Sequence, residues 1–257
     1  MKGVKMSNHD SSKLPARSNG VPSTGKKSQA LDRIRAAKPA KPLAGAQRKE
    51  DLLAAAIAPK QRPRLVFAFD ATASREPAWD TAKRITDSLF TALPGQLDVA
   101  LTVHGGGRVH TFTQFSSDSR VFRDQAASVK CQAGPTAMVQ MMSMVREQAG
   151  VKVMLYIGDC FEEDPAAAYE LADAFRLRGV RAILLHDASS GDAAARSVFE
   201  EIARRTGGVC VDFYSGAPGD LQEILEAVAV LAYGGVKLLE QKKNSLPGAR
   251  RLLPFLS

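Results

Sequence analysis

The chain has 257 residues, 45% of them hydrophobic, 24% charged and 6% aromatic, which is ample for one well-filled core. Its net charge of +8 is confined to the first fifth: residues 1–50 hold 12 Lys/Arg against 3 Asp/Glu, and the remainder hold 23 against 24. No apolar run approaches the roughly 18 residues of a membrane-spanning helix, and residues 1–12 lack the apolar segment of a secretory signal, so a cytoplasmic location without a membrane is expected.

Residues 1–46 are dominated by Ser, Lys, Pro, Gly and Ala, too poor in aliphatic groups to offset the entropy of ordering, and read as a disordered basic tail. Polyanion contact, including nucleic acid, is expected only through this tail. The run from Gly20 to Lys27 nearly spells a phosphate-cradling loop, but Lys27 replaces the magnesium-binding hydroxyl, and neither strand nor amphipathic helix flanks it. Residues 47–63 read as a short helix, with Leu52, Leu53 and Ile57 on one side, followed by a linker.

From Arg64 onward, apolar runs alternate with segments of helical period. The runs at 64–69, 97–103, 109–115, 151–157, 180–186 and 209–214 predict six strands, buried on both faces as in a parallel sheet between helix layers. Helices are predicted at 77–93 and 136–148. Others begin at Asp164-Pro165, Asp192 and Asp220, and end at Gly179, Gly207-Gly208 and Tyr233-Gly234. Only the link through Gly105-Gly106-Gly107 is too short for a crossover, which makes its strands an antiparallel hairpin. The prediction is an α/β, doubly wound, mostly parallel six-stranded sheet of order 3-2-1-4-5-6 with one antiparallel edge strand and helices on both faces. The domain spans 64–233, and 234–257 form a C-terminal tail segment whose Leu246, Leu252, Leu253, Phe255 and Leu256 fold back or dock a partner.

In such sheets ligands bind at the carboxyl ends of the strands where the winding reverses, here between the first and the fourth. Both strands run into aspartate, Asp70 and Asp159. Asp70, Thr72 and Ser74 stand at i, i+2 and i+4 across a strand-to-loop turn, and Thr136 adds a hydroxyl from another loop. An all-oxygen donor set of this kind suits Mg²⁺, or Mn²⁺, and disfavours soft metals. The three cysteines form no paired motif, and the four histidines lack zinc spacing.

These residues resemble those of the von Willebrand factor type A (VWA) domain. Its metal-ion-dependent adhesion site (MIDAS) is spelled D-x-S-x-S, a threonine from a second loop, and an aspartate after the fourth strand. The resemblance covers about 64–233, with Thr72 standing for the first serine. Phe69–Asp80, Ile157–Glu163 and Phe199–Gly208 are similar to bacterial stand-alone members, in which Gly-Gly-Thr usually occupies the place of Gly134-Pro135-Thr136. It implies a non-enzymatic, metal-dependent adaptor or scaffold with Asp70, Thr72, Ser74, Thr136 and Asp159 as metal ligands. The partner is then a protein that offers an acidic side chain to the cation.

Two other readings are distinguishable. A phosphatase of the haloacid dehalogenase type would use Asp70 as phosphoryl acceptor, but Thr72 stands where its general acid belongs. An adaptor acting through its tails would owe its binding to residues 1–46. Glu162 and Glu163 are read either as acceptors for metal-bound water or as a solvated first-turn pair, Asp164 as a helix cap, and Met138, Met141 and Met142 as core. Cys160 is read as inert, and His104 and His186 as hydrogen-bonded structural histidines.

Overall fold

A computed structural model describes residues 61–72, 79–80, 83, 86–93, 95–189, 192–214 and 218–256. The basic tail, the helix expected at 47–58, Ser74, and the expected helical start at Pro77 with Ala82 and Ile85 lie outside them.

The described elements are, in order, β1 (Arg64–Asp70), α1 (Asp87–Thr91), β2 (Asp98–Gly105), β3 (Arg108–Phe112), α2 (Ser119–Ala127), α3 (Met138–Arg146), β4 (Val151–Gly158), α4 (Pro165–Leu177), β5 (Arg181–Asp187), α5 (Ala193–Thr206), β6 (Val209–Phe213), α6 (Pro218–Lys242), α7 (Pro247–Leu252) and a 3₁₀ turn at Leu253–Phe255. The strands form one sheet of order β3-β2-β1-β4-β5-β6, as the sequence pattern predicts. Only β2 and β3 pair antiparallel.

Alternation along the central strands sends side chains into two cores. Leu65, Phe67 and Phe69 of β1 meet α1, α2, α6 and Trp79 on one face, with the Phe69 and Trp79 rings 4.5 Å apart. Val66 and Ala68 meet the methionines of α3, and beyond them Phe175 of α4 and Phe199 of α5, on the other. Burial on both faces explains why these strands read as unbroken apolar runs. The predicted caps form: Asp164 accepts from Ala166 N at 3.0 Å with Pro165 at the first helical position, and Asp192 accepts from Ala195 N at 3.0 Å.

One expectation needs correction. Besides α3, the β3-to-β4 connection carries α2, which the apolar pattern did not reveal because only Phe122 and Ala126 are buried in it; its legible signal is the cap Asp118, which accepts from Arg120 N. The helix that starts near Asp220 ends at Tyr233-Gly234 as expected, because Gly235 is not helical. A second helical segment, included in α6, follows Gly235 to Lys242; the glycine's φ of 68° lets the chain turn there without strain.

Beyond that break the chain returns to the body. Leu239, Ala249 and Leu252 are fully buried, and Arg251 pairs with Asp220 at 2.8 Å. A Cβ on Gly248 would stand 2.0 Å from the Glu223 carbonyl oxygen, so α7 touches α6 backbone to backbone. Gly248→Ala is expected to cost about 1–3 kcal/mol in urea unfolding, the usual range for overpacking. An unchanged midpoint would show that α7 does not hold α6.

At the outer surface, Glu201 of α5 receives Arg204 and Arg205, and Arg205 reaches Asp173 of α4 at 2.7 Å. Hydrogen bonds from Arg204 and Arg205 hold the Glu201 carboxyl down at about 2. A depressed carboxyl contributes stability above its unfolded value and loses it as pH falls through the folded one. The urea midpoint should therefore fall between about pH 4.5 and 2, and fall less in Glu201→Gln. The difference should be small, because surface pairs are screened.

Candidate functional site at the carboxyl edge of the sheet

Parallel pairing of β1 with β4 sets Phe69 beside Ile157, so Asp70 and the Gly158-Asp159 pair follow on neighbouring strands. With strands about 4.8 Å apart and about 3.3 Å per residue, the Asp70 and Asp159 backbones come within about 6 Å. Both aspartates are buried, as are Thr72 and Thr136. Four of the five residues singled out by sequence thus gather at one rim; the fifth, Ser74, lies outside the described residues.

Each loop is held there by an identifiable contact. Thr72 N donates to Asp70 Oδ1 at 3.0 Å, an Asx-type turn that folds the chain back as it leaves β1. Ala71 N donates to the His104 carbonyl at 2.7 Å, and the Ala71 carbonyl accepts from Gln132 N at 2.8 Å. The segment ahead of α3 therefore lies against the end of β1. It also leans on the glycine turn of the hairpin: Gly107 N donates to the Pro135 carbonyl at 2.7 Å, and a Cβ on Gly134, at φ 132°, would come 2.6 Å from Gly106 Cα. Close backbone approach of this kind needs glycine.

Thr136 stands two residues ahead of the first residue of α3, where the sequence placed it at the head of the helix. Two glutamates hold it. Its amide donates to Glu162 Oε2 and its hydroxyl to Glu163 Oε2, both at 3.2 Å, and the hydroxyl oxygen accepts from Glu162 N at 3.1 Å. Glu163 also accepts from Met138 N and, at 3.0 Å, from Val139 N. The capping residue of α3 is Ala137, which has no side-chain acceptor, so Glu163 caps the helix from across the site.

This corrects the reading of Glu162-Glu163 as a first-turn pair: both precede the helix, Glu163 is partly buried against α3, and Glu162, though exposed, binds the Thr136 amide. Their role was not legible, because the amides they satisfy lie about 25 residues earlier in the chain. Removing a carboxylate that serves three donors costs about 1–3 kcal/mol in unmade bonds. Glu163→Ala is expected to lose that much in chemical denaturation, Glu163→Gln less. Equal stability of Glu163→Ala and the parent would remove the cross-site cap.

His104 lies opposite Asp70 in the register, fully buried, with Nδ1 4.0 Å from Asp70 Oδ1. This is no ion pair. Nδ1 receives the Ala137 amide at 3.1 Å, so it carries a lone pair, and the proton sits on Nε2, 3.1 Å from the Tyr156 hydroxyl. Burial, with His110 nearby, pushes the imidazole down to about 3, so it is a neutral strut. The Tyr156 ring stacks on it and fills the space a Cβ on Gly158 would take, 2.6 Å from the tyrosine oxygen. One chain of contacts thus joins the residue before Asp159, the strand of His104 and the start of α3.

Cys160, beside Asp159, lies 3.6 Å from Asp192 Oδ2. Burial first, then the charge of Glu162, pushes its thiol up to about 11, so it offers no thiolate. His186 sits one strand further along, with Nδ1 3.2 Å from Asp212 Oδ1. Among the described residues no group of three or more His, Cys, Asp or Glu forms a metal cluster. Thr72 and Thr136 bring hydroxyl donors, so the rim combines two carboxylates with two alcohols.

Comparison with solved structures places this architecture. The chain superposes on a von Willebrand factor type A protein from Catenulispora acidiphila with a TM-score of 0.55 and 16% identity, over 68% of this chain and 43% of that one. It superposes on the vWF domain of the type V pili tip protein Mfa5 from Porphyromonas gingivalis with a TM-score of 0.53 and 9% identity, over 74% of this chain and 97% of that one. Proximal thread matrix protein 1 of the mussel byssus, solved with a zinc-occupied MIDAS motif, matches with a TM-score of 0.48 and 17% identity, over 65% and 46% of the two chains.

The fold is that of von Willebrand factor type A domains. The match spans less than half the length of the Catenulispora protein. No sequence-family model matches the chain, and comparison with characterised proteins by sequence returns no match. No helix among the described residues is long and apolar enough to cross a membrane.

Proposed function

We propose that the chain is a divalent-metal-dependent protein-binding module of MIDAS type, in which Asp70, Thr72, Ser74, Thr136 and Asp159 hold Mg²⁺, or Mn²⁺. The observation that carries this is the β1–β4 register, which sets two buried aspartates at adjacent strand ends beside the Thr136 loop. The donor set fits the ion: carboxylates and alcohols are hard oxygen ligands, and two carboxylates match a dication in charge. When bound, the cation supplies a Lewis-acidic position for an acidic side chain of the partner protein.

The chain's own residues do the positioning. The amide of Thr72 orients Asp70, while Glu162 and Glu163 orient Thr136. Thr72, a neutral alcohol two residues after Asp70, cannot serve as a general acid at neutral pH, which favours binding over phosphoryl transfer. No disulfide joins Cys131, Cys160 and Cys210, which suits a reducing compartment, and we place the module in the cytoplasm.

Thermal and urea unfolding with and without magnesium test the reading. At about 100 times its dissociation constant the ion should stabilise the parent by about 2.7 kcal/mol, and the gain should vanish in Asp70→Asn and Asp159→Asn. A gain that persists in both variants together would place the ion elsewhere. Hydrolysis of a phosphate monoester that is lost in Asp70→Asn would make the protein an enzyme instead. Proteins retained by the immobilised chain in magnesium should be released by chelator.

A further inference from the structure

At the amino edge of the sheet, opposite Asp70 and Asp159, the central strands begin with cations. β1 starts at Arg64, β4 has Lys152 as its second residue, and β5 starts at Arg181. The register sets Arg64 beside Val151 and Arg181 beside Val153, a row two strand intervals wide, about 10 Å, that is closed on its β2 side by Asp98, the register partner of Arg64. Arg178 lies just ahead of β5.

Elsewhere in the body arginines meet carboxylates, as in Arg123–Asp87, Arg196–Glu200 and Arg251–Asp220. Along this row Arg181 is tied instead to the Gly207 carbonyl at 2.9 Å and Arg178 to that of Gln148 at 3.4 Å, while at the β1 end Arg64 holds the Ala149 carbonyl, its guanidinium 4.5 Å from the Phe115 ring centroid, and Arg62 pairs with Asp98. A carbonyl tether orients a guanidinium without cancelling its charge.

Two hollows adjoin the row and share Lys152. One, of about 190 Å³, is lined by Lys152, Arg181, Leu231 and Tyr233, the last 43% exposed. The other, of about 250 Å³, is lined by Lys152, Arg178, Gln148 and Gly150. Among the described residues no carboxylate lines either hollow.

We propose that this edge binds single-stranded nucleic acid, with backbone phosphates on Lys152, Arg178 and Arg181 and a base against Tyr233. Cations on a rigid frame, in hollows that no carboxylate lines among the described residues, release the counter-ions condensed on a polyphosphate, which drives association. Cations beside an exposed aromatic are the pairing that single strands use, phosphate on charge and base on ring. A bilayer also attracts cations, but its flat surface does not enter a hollow, whereas a planar base does. The sequence preceding this edge carries its own excess of 12 Lys/Arg over 3 Asp/Glu in residues 1–50, which adds unspecific attraction. The surface is at the opposite end of the strands from the proposed metal site and does not depend on it.

The test is fluorescence anisotropy of the full-length protein with a labelled oligothymidylate of about 16 nucleotides, the upper site size of a single-strand-binding fold, with chelator present. Lys152 and Arg178 are both exposed, so their reversal spares the core. Lys152→Glu with Arg178→Glu should weaken binding at least tenfold and lower the salt slope by about 1.4, the share of two phosphate contacts on a single strand. Tyr233→Ala should weaken it about tenfold with the slope unchanged. Arg120→Glu with Arg123→Glu makes the same change in net charge on α2 and should leave both readings as in the parent. Equal losses in the two charge-reversed proteins, or an unaltered slope in the first, would overturn the proposal and leave the N-terminal residues as the polyanion contact. Tighter binding to vesicles of phosphatidylserine and phosphatidylcholine than to the oligonucleotide would overturn it in favour of a membrane.

Discussion

Parallel pairing of β1 with β4 is the constraint on which the carboxyl rim depends. Strand pairing fixes which residues leave the sheet together, and the register that puts Phe69 beside Ile157 brings Asp70 and Asp159 out at adjacent strand ends, one residue out of step. A slip of one residue would turn Leu65, Phe67 and Phe69 into the opposite core and move Asp70 off the rim. The two apolar clusters that flank β1 therefore hold the rim in place as well as the fold, because each accepts only one phase of the alternation.

Around that pair the protein builds its loops by satisfying backbone groups. α3 begins without a side-chain cap of its own, and an uncapped helix start is costly when buried. Glu163 supplies the missing acceptor from the β4–α4 loop, while His104 takes the Ala137 amide from the hairpin. Three separate loops thus meet at the start of one helix. Thr136 is held where it stands by what surrounds it, not by its position in α3.

The two edges of the sheet differ in how charge is managed. At the carboxyl edge, acidic groups are gathered and tied to amides and hydroxyls. At the amino edge, Arg64, Arg178 and Arg181 are tied to carbonyls of the segments that follow α3 and α5.

Much of this was legible in the sequence. Unbroken apolar runs announced strands covered on both faces, Asp164-Pro165 and Asp192 announced helix starts, and three successive glycines announced the hairpin, because each signal is local and carries its own chemistry. The strand order followed from connection lengths. The pairing of Asp70 with Asp159 followed in turn from that order. What only the tertiary structure decided were contacts between segments distant in sequence and silent in pattern: Glu163 reaching Met138 and Val139, His104 as a neutral strut, α7 folded onto α6, and cations brought together at the starts of neighbouring strands. Periodicity records which face of an element is buried. It does not record which distant amide, carbonyl or ring will meet that face.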